Sequence, residues 1–126
     1  MGHKRSSFRP GVAAKISARA RIVGGHIGYP VKARFDRNGA GAPRAFLAAE
    51  VGAVRGMTVR YVLAVLQEHP GHTDDREPSY VVHAGPANEA WATTPLPLAD
   101  AIRAFQAGAV KSARLWGLAK ASRARL

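Results

Sequence analysis

The sequence predicts an α+β domain: a mostly antiparallel sheet of four to five strands, a middle helix, and a long amphipathic C-terminal helix. Three observations lead there. Apolar and polar residues alternate in the first third of the chain, turn signals cut those stretches short, and an apolar stripe at helical spacing runs from Leu98 to Trp116.

Residues 1–11 read as a flexible basic arm that holds Lys4, Arg5 and Arg9 and closes on Pro10 and Gly11. From Lys15 to Ile22 the alternation is strict. Lys15, Ser17, Arg19 and Arg21 share one side, and Ile16, Ala18, Ala20 and Ile22 the other. Period two predicts a strand. The alanine content also suits a helix, but the complete alternation and the stop at Gly24-Gly25 favour the strand. On this reading Gly24 to Gly28 is a plain turn between strands, because its spacing fits neither a dinucleotide fingerprint nor a P-loop. Val31 to Arg37 alternates again, with Val31, Ala33 and Phe35 opposite Lys32, Arg34 and Asp36. Asn38-Gly39 then signals a turn, with a loop running to Pro43. Arg44 to Val51 is the expected return strand, although Pro43 could equally open a helix there.

Between Thr58 and His69 two signals compete. Thr58, Val59, Tyr61 and Val62 favour a strand, whereas Val59, Val62, Leu63 and Leu66 fall at helical spacing between a Thr58 cap and a Pro70-Gly71 stop. The spacing predicts the middle helix. His72 to Pro78 reads as an acidic loop, Ser79 to His83 as a short strand, and Ala90 to Thr93 as another. In the last helix Leu98, Ile102, Phe105, Ala109, Ala113 and Trp116 line one face, with Arg103, Lys111 and Arg114 opposite, and Gly117 weakens its continuation. One domain, residues 12–118, lies between the arm and a basic tail, residues 119–126.

Composition narrows the function. The chain has 126 residues, 47% apolar and 21% charged, which fits one domain able to bury a core. It contains no cysteine, which excludes disulfides, thiolate metal sites and cysteine nucleophiles. No apolar run follows the basic N-terminus, and the longest run of large apolar side chains, Val62 to Leu66, is too short to cross a bilayer. A cytoplasmic location, or one inside a phage particle, is the expectation, with no membrane partner. Met1-Gly2 with Ser6 fits a myristoylation pattern, but the Ala/Arg/Gly-rich composition looks bacterial or phage-like, where that modification is not expected.

The formal net charge is +11, unevenly spread. Residues 1–60 hold twelve Lys/Arg against two acids, residues 61–100 hold Arg76 against six acids, and residues 101–126 hold six Lys/Arg and no acid. Such a field concentrates an anionic partner. Arginine outnumbers lysine fourteen to five, which favours bidentate phosphate contacts. Pairing of the two early strands would merge their basic sides into a stripe, extended by the arm and the last helix. The expected contact set is Lys4, Arg5, Arg9, Lys15, Arg19, Arg21, Lys32, Arg34, Arg103, Lys111 and Arg114. The bland alternative is a solvated sheet face.

Aromatic support is thin. Phe35, Phe46, Phe105 and Trp116 fall on expected apolar faces, which leaves Phe8, Tyr29 and Trp91 as rings that could stack on bases. His69, His72, Asp74, Asp75 and His83 form the one candidate metal cluster, but histidine and aspartate are common in surface loops, so no metal and no cofactor are expected. Ser6, Ser7, Ser17, Ser79, Ser112 and Ser122 lie in no nucleophile motif, and Glu50 and Glu68 lack a second acid at useful spacing, so no enzyme is expected. The leading expectation is a non-catalytic domain that binds DNA or RNA through phosphates with little sequence specificity. The rival is a structural subunit of a phage particle or ribonucleoprotein. In it the acidic stretch from Glu68 to Glu89 meets the basic half of a protein partner or of a second copy.

Overall fold

The computed structural model describes residues 8–69, 78–86 and 90–118. The chain runs α1 (Pro10–Ile27), β1 (Val31–Arg37), β2 (Pro43–Val54), β3 (Met57–Glu68), β4 (Tyr80–Ala84), β5 (Trp91–Ala92) and α2 (Leu98–Leu115). The strands form one antiparallel sheet in the order β1-β2-β3-β4-β5, a meander in which each strand pairs with its neighbour in sequence. Both helices lie on one face of it: α2 packs across β3 and β4, and α1 packs on β1 and beside α2. The class is α+β, as the sequence predicts, with two differences in the elements.

The first difference is at the N-terminus. The segment expected as a strand over Lys15–Ile22 is helix α1. Its buried residues are Ile16, Ala20, Val23 and Ile27, a helical stripe that the alternation had masked. Gly24-Gly25 does not stop it. Gly24 to Ile27 form its last turn, and Gly28, at φ 80°, is the left-handed cap, its N–H donating to the Gly24 carbonyl at 2.9 Å. Gly24 also lets the chain cross closely, since a Cβ there would lie 3.1 Å from the Tyr29 carbonyl oxygen. Of the arm expected over residues 1–11, residues 1–7, with Lys4 and Arg5, lie outside the described residues. Phe8 is buried, edge-on to Phe35 at 6.2 Å between ring centroids and beside Tyr80, and Pro10 begins the helix. Phe8 is therefore a core residue and not a ring free for bases.

The second difference is in the middle. Thr58–His69 is not a helix; Met57–Glu68 is strand β3. Its ladder with β2 slips twice, leaving Leu63 extra in β3 and Val51 extra in β2. The first bulge turns Leu63 and Ala64 both inward, so that Tyr61, Leu63, Ala64 and Leu66 face the helices. Leu63 and Leu66 thus share the inner face three residues apart, whereas Val62, which completes the apparent helical spacing, stands on the outer face. The β2–β3 turn places Arg55 at φ 52° and Gly56 at φ 81°, the two left-handed positions of a hairpin turn whose twist matches its strands.

The remaining elements follow the sequence closely. β1 spans Val31–Arg37, the return strand is β2, and the two short strands are β4 and β5. In the β1–β2 loop the Asn38 side-chain oxygen accepts the backbone N–H groups of Ala40 and Ala42, each at 2.9 Å. Helix α2 buries Ile102, Phe105, Ala109 and Ala113 as predicted, but Trp116, expected in the core, is 41% exposed and meets Tyr61 edge-on at 4.6 Å. The helix ends in a Schellman motif. Gly117, at φ 80°, donates to the Arg114 carbonyl, and the N–H of buried Leu118 donates to that of Ala113. The tail from residue 119 lies outside the described residues.

The core fills the space between the helices and the inner face of the sheet, with Phe105, Ile16, Ile27, Leu47, Leu63 and Leu66 as its largest fully enclosed apolar side chains. Ser112 is the buried polar residue there, and its hydroxyl has no hydrogen-bond partner among the described residues. A buried hydroxyl left unsatisfied is destabilising. Ser112→Ala is therefore expected to stabilise the fold by about 1 kcal/mol, read as a higher urea midpoint at unchanged slope. An unchanged or lower midpoint would show that the hydroxyl has a partner after all.

Candidate nucleic-acid interface

A basic surface could form on either side of this two-layer body, and the side chains decide which. Because Lys15, Arg19 and Arg21 stand on α1 and not on a strand, the single sheet stripe expected from the sequence does not exist. Its cations divide between the helix layer and the sheet.

On the helix layer, α1 and α2 lie side by side with a seam between them. Lys15, Arg19 and Arg103 line one open groove of about 630 Å³ along this seam, together with Pro97, Leu98 and Ile102. A second, of about 480 Å³, is lined by His26, Arg103, Gln106, Val110 and Arg114. Arg103 belongs to both, so the two run on from one another. Among the described residues no carboxylate lines either groove. Asp100 reaches the rim and pairs with Arg103 three residues on. Arg19 is fixed across the seam by donating from Nη1 to the Gln106 side-chain oxygen at 2.9 Å, while its buried Nε has no partner among the described residues. Lys15 and Arg114 are exposed and pair with no described carboxylate, whereas the exposed Arg103 meets an anion only alongside its Asp100 partner. No acid occurs anywhere in α1, from Pro10 to Ile27.

The face of the sheet away from the helices is covered by no other described element. Strand register sets three rows across it. Lys32, Ala48 and Val62 form the first; Arg34, Phe46, Val65 and His83 the second; Asp36, Arg44, Gln67 and Val81 the third. Phe46 was expected to point inward but stands on this outer face, opposite Arg34, and is only half-buried. Arg44 donates twice to the Asp36 carboxylate, at 2.9 and 2.8 Å, and its guanidinium lies over the Phe46 ring, 5.0 Å from the centroid. The hydrogen bond to Asp36 raises the Arg44 pKa above its ordinary value, so this group stays cationic. Arg60 pairs with Glu50 at 3.4 Å. Lys32 and Arg34 are exposed and pair with no described carboxylate.

The remaining expected contacts are scattered. Arg9 is exposed just before α1. Arg21 and Lys32 line a third groove, between α1 and the start of β1, which joins the two faces at that edge. Lys111 lies over Trp91, 4.7 Å from the ring centroid, and so serves packing at the β5 edge instead of the seam. Trp91 is accordingly engaged, and Tyr29 is half-buried. Sequence reasoning missed Gln106, His26, Arg44 and Phe46. The signal for Phe46 was its parity with Arg44 along β2, which strand register alone could turn outward.

The candidate metal cluster is not assembled by the described residues. His72, Asp74 and Asp75 lie outside them, and His83 pairs with Val65, four residues along β3 from His69, or about 13 Å at strand spacing. Among the described residues no group of three or more His, Cys, Asp or Glu is placed to hold a metal, and no helix is long and apolar enough to cross a membrane. No protein-family model matches the chain, and no curated protein or solved structure matches it significantly.

Proposed function

We propose that this protein is a non-catalytic nucleic-acid-binding domain that holds the phosphate backbone along the seam between α1 and α2. The supporting observation is the carboxylate-free lining of the two joined grooves, where Lys15, Arg19, Arg103 and Arg114 come from opposite ends of the chain to one surface. Cations that the protein's own acids neutralise add little to such a surface. Cations left unopposed attract a polyanion, and each phosphate contact releases counterions. Arginine provides the fork geometry that phosphate oxygens accept. Among the described residues the seam offers base edges only the His26 imidazole and the Gln106 amide, whose oxygen already accepts from Arg19, so the contact reads mainly the backbone and carries little sequence preference.

The test is titration of labelled duplexes of two unrelated sequences at several salt concentrations. Binding should weaken steeply with salt, log K falling with a slope of about −0.9 for each phosphate engaged, and the two sequences should bind alike. Binding that is absent, or insensitive to salt, would overturn the proposal.

A further inference from the structure

The seam explains an attraction to phosphates but leaves the opposite face of the sheet without a role. We infer that this face takes the unpaired bases of a single-stranded nucleic acid, with Phe46 and the Arg44 guanidinium as the stacking platform and Lys32 and Arg34 holding the adjoining phosphates. The inference rests on the nucleic-acid reading above and specifies the form of the ligand.

Four observations carry it. The face is open, and its middle is apolar: Phe46, Val62 and Val65 stand together there, Val62 half exposed at 50%. Among the described residues Phe46 is the one phenyl, phenol or indole ring on it, with the exposed His83 imidazole two strands away in the same row. Phe8, Phe35 and Tyr80 cluster on the inner side, Tyr61 meets Trp116, Lys111 covers Trp91, and Phe105 is fully buried. The Arg44 guanidinium is held by both oxygens of Asp36 and lies over one face of the Phe46 ring, 5.0 Å from its centroid, so ring and planar cation form one stack whose outer side a base can continue. Bases stack on aromatic rings and guanidinium planes alike, provided no complementary strand shields their faces. Finally, Lys32 and Arg34 project from the same side of β1 two residues apart, about 6.7 Å at strand spacing, so that successive phosphates of an extended strand can run along β1 while its bases turn in toward Phe46.

Charge argues against a second copy as the occupant. Two such faces packed together would bring Lys32 and Arg34 against a like-charged surface with no described carboxylate free to answer them. A polyanion removes that repulsion. A duplex, whose bases are already stacked and paired, has no ring face to offer.

The decisive comparison uses a labelled oligothymidine of about 16 nucleotides and an abasic strand with the same number of phosphates, followed by fluorescence anisotropy. The full chain should bind oligothymidine at least about tenfold more tightly than the abasic strand. Phe46→Ala should abolish that preference and leave affinity for the abasic strand unchanged, while Phe46→Tyr should keep it. The comparison of the two strands on the unaltered protein does not depend on the variants folding. Equal binding of both strands, or a preference that Phe46→Ala leaves intact, would overturn this inference and leave the phosphate reading standing. Failure to bind either strand would overturn both. Concentration-dependent dimerisation abolished by Phe46→Ala, with no preference for bases, would assign the face to a second copy instead.

Discussion

Phe105→Ala is expected to destabilise the protein by about 3–5 kcal/mol, the largest loss from any single truncation of the fold. Phe105 is fully enclosed on α2, at the centre of the face that the helix turns to β3 and β4. Removing its ring deletes the transfer energy of the side chain and leaves a cavity, because the small residues around it cannot close the gap. Ala101, Gly108 and Ala109 are its neighbours on the same buried helix face. Gly108 already sits so near β4 that a Cβ there would lie 3.2 Å from that of Ala84. This close approach of helix and sheet limits how far the void can collapse. A domain of this size has a total stability of about 5–15 kcal/mol, so the variant would fall by roughly 10 °C or more in melting temperature or fail to fold. Circular dichroism melts check this, with Trp116→Ala as the contrast. That ring is partly exposed at the end of α2, and its removal should cost much less. A Phe105→Ala variant within about 1 kcal/mol of the parent would mean that α2 does not pack on the sheet as described.

The second large effect concerns binding. Lys15→Gln, Arg103→Gln and Arg114→Gln together should flatten the dependence of log K on log salt by about 3 units and weaken duplex binding most at low salt. These three side chains are exposed, so the fold should survive the change. Arg19 is left in place because its bond to Gln106 ties α1 to α2. Removal of Arg103 also frees the Asp100 carboxylate at the groove rim, which adds repulsion to the lost attraction. Slopes measured for the parent and the triple variant decide the matter. If they coincide, the polyanion lies somewhere other than the seam.

What could be read from the sequence, and what could not, follows from how each residue type reports on its surroundings. β1 was legible to the residue because valine, phenylalanine and arginine alternate over a segment packed on one side only. Helix α2 was legible because its stripe recurs through five turns and ends on a glycine that the Schellman motif requires. Helix α1 was misread because alanine serves in either period, so that Ile16, Ala20, Val23 and Ile27 were obscured by an accidental alternation. β3 was misread because its bulge is a tertiary event, set by the partner strand, and one strand's sequence does not announce it. The site suffered accordingly. The basic residues were identified, but their grouping depends on which element carries each one. The seam joins residues separated by most of the chain, which no local pattern encodes.

The contact between α1 and α2 also bears on the order of events as the chain leaves the ribosome. The meander can assemble hairpin by hairpin, since every strand finds its partner next in sequence. Helix α1 cannot finish in the same way: β1 covers part of its apolar stripe, but the remainder waits for α2, which follows the whole sheet in sequence. Until α2 docks, that part of the α1 stripe has no described partner. Completion of the fold thus couples two helices separated by the whole sheet.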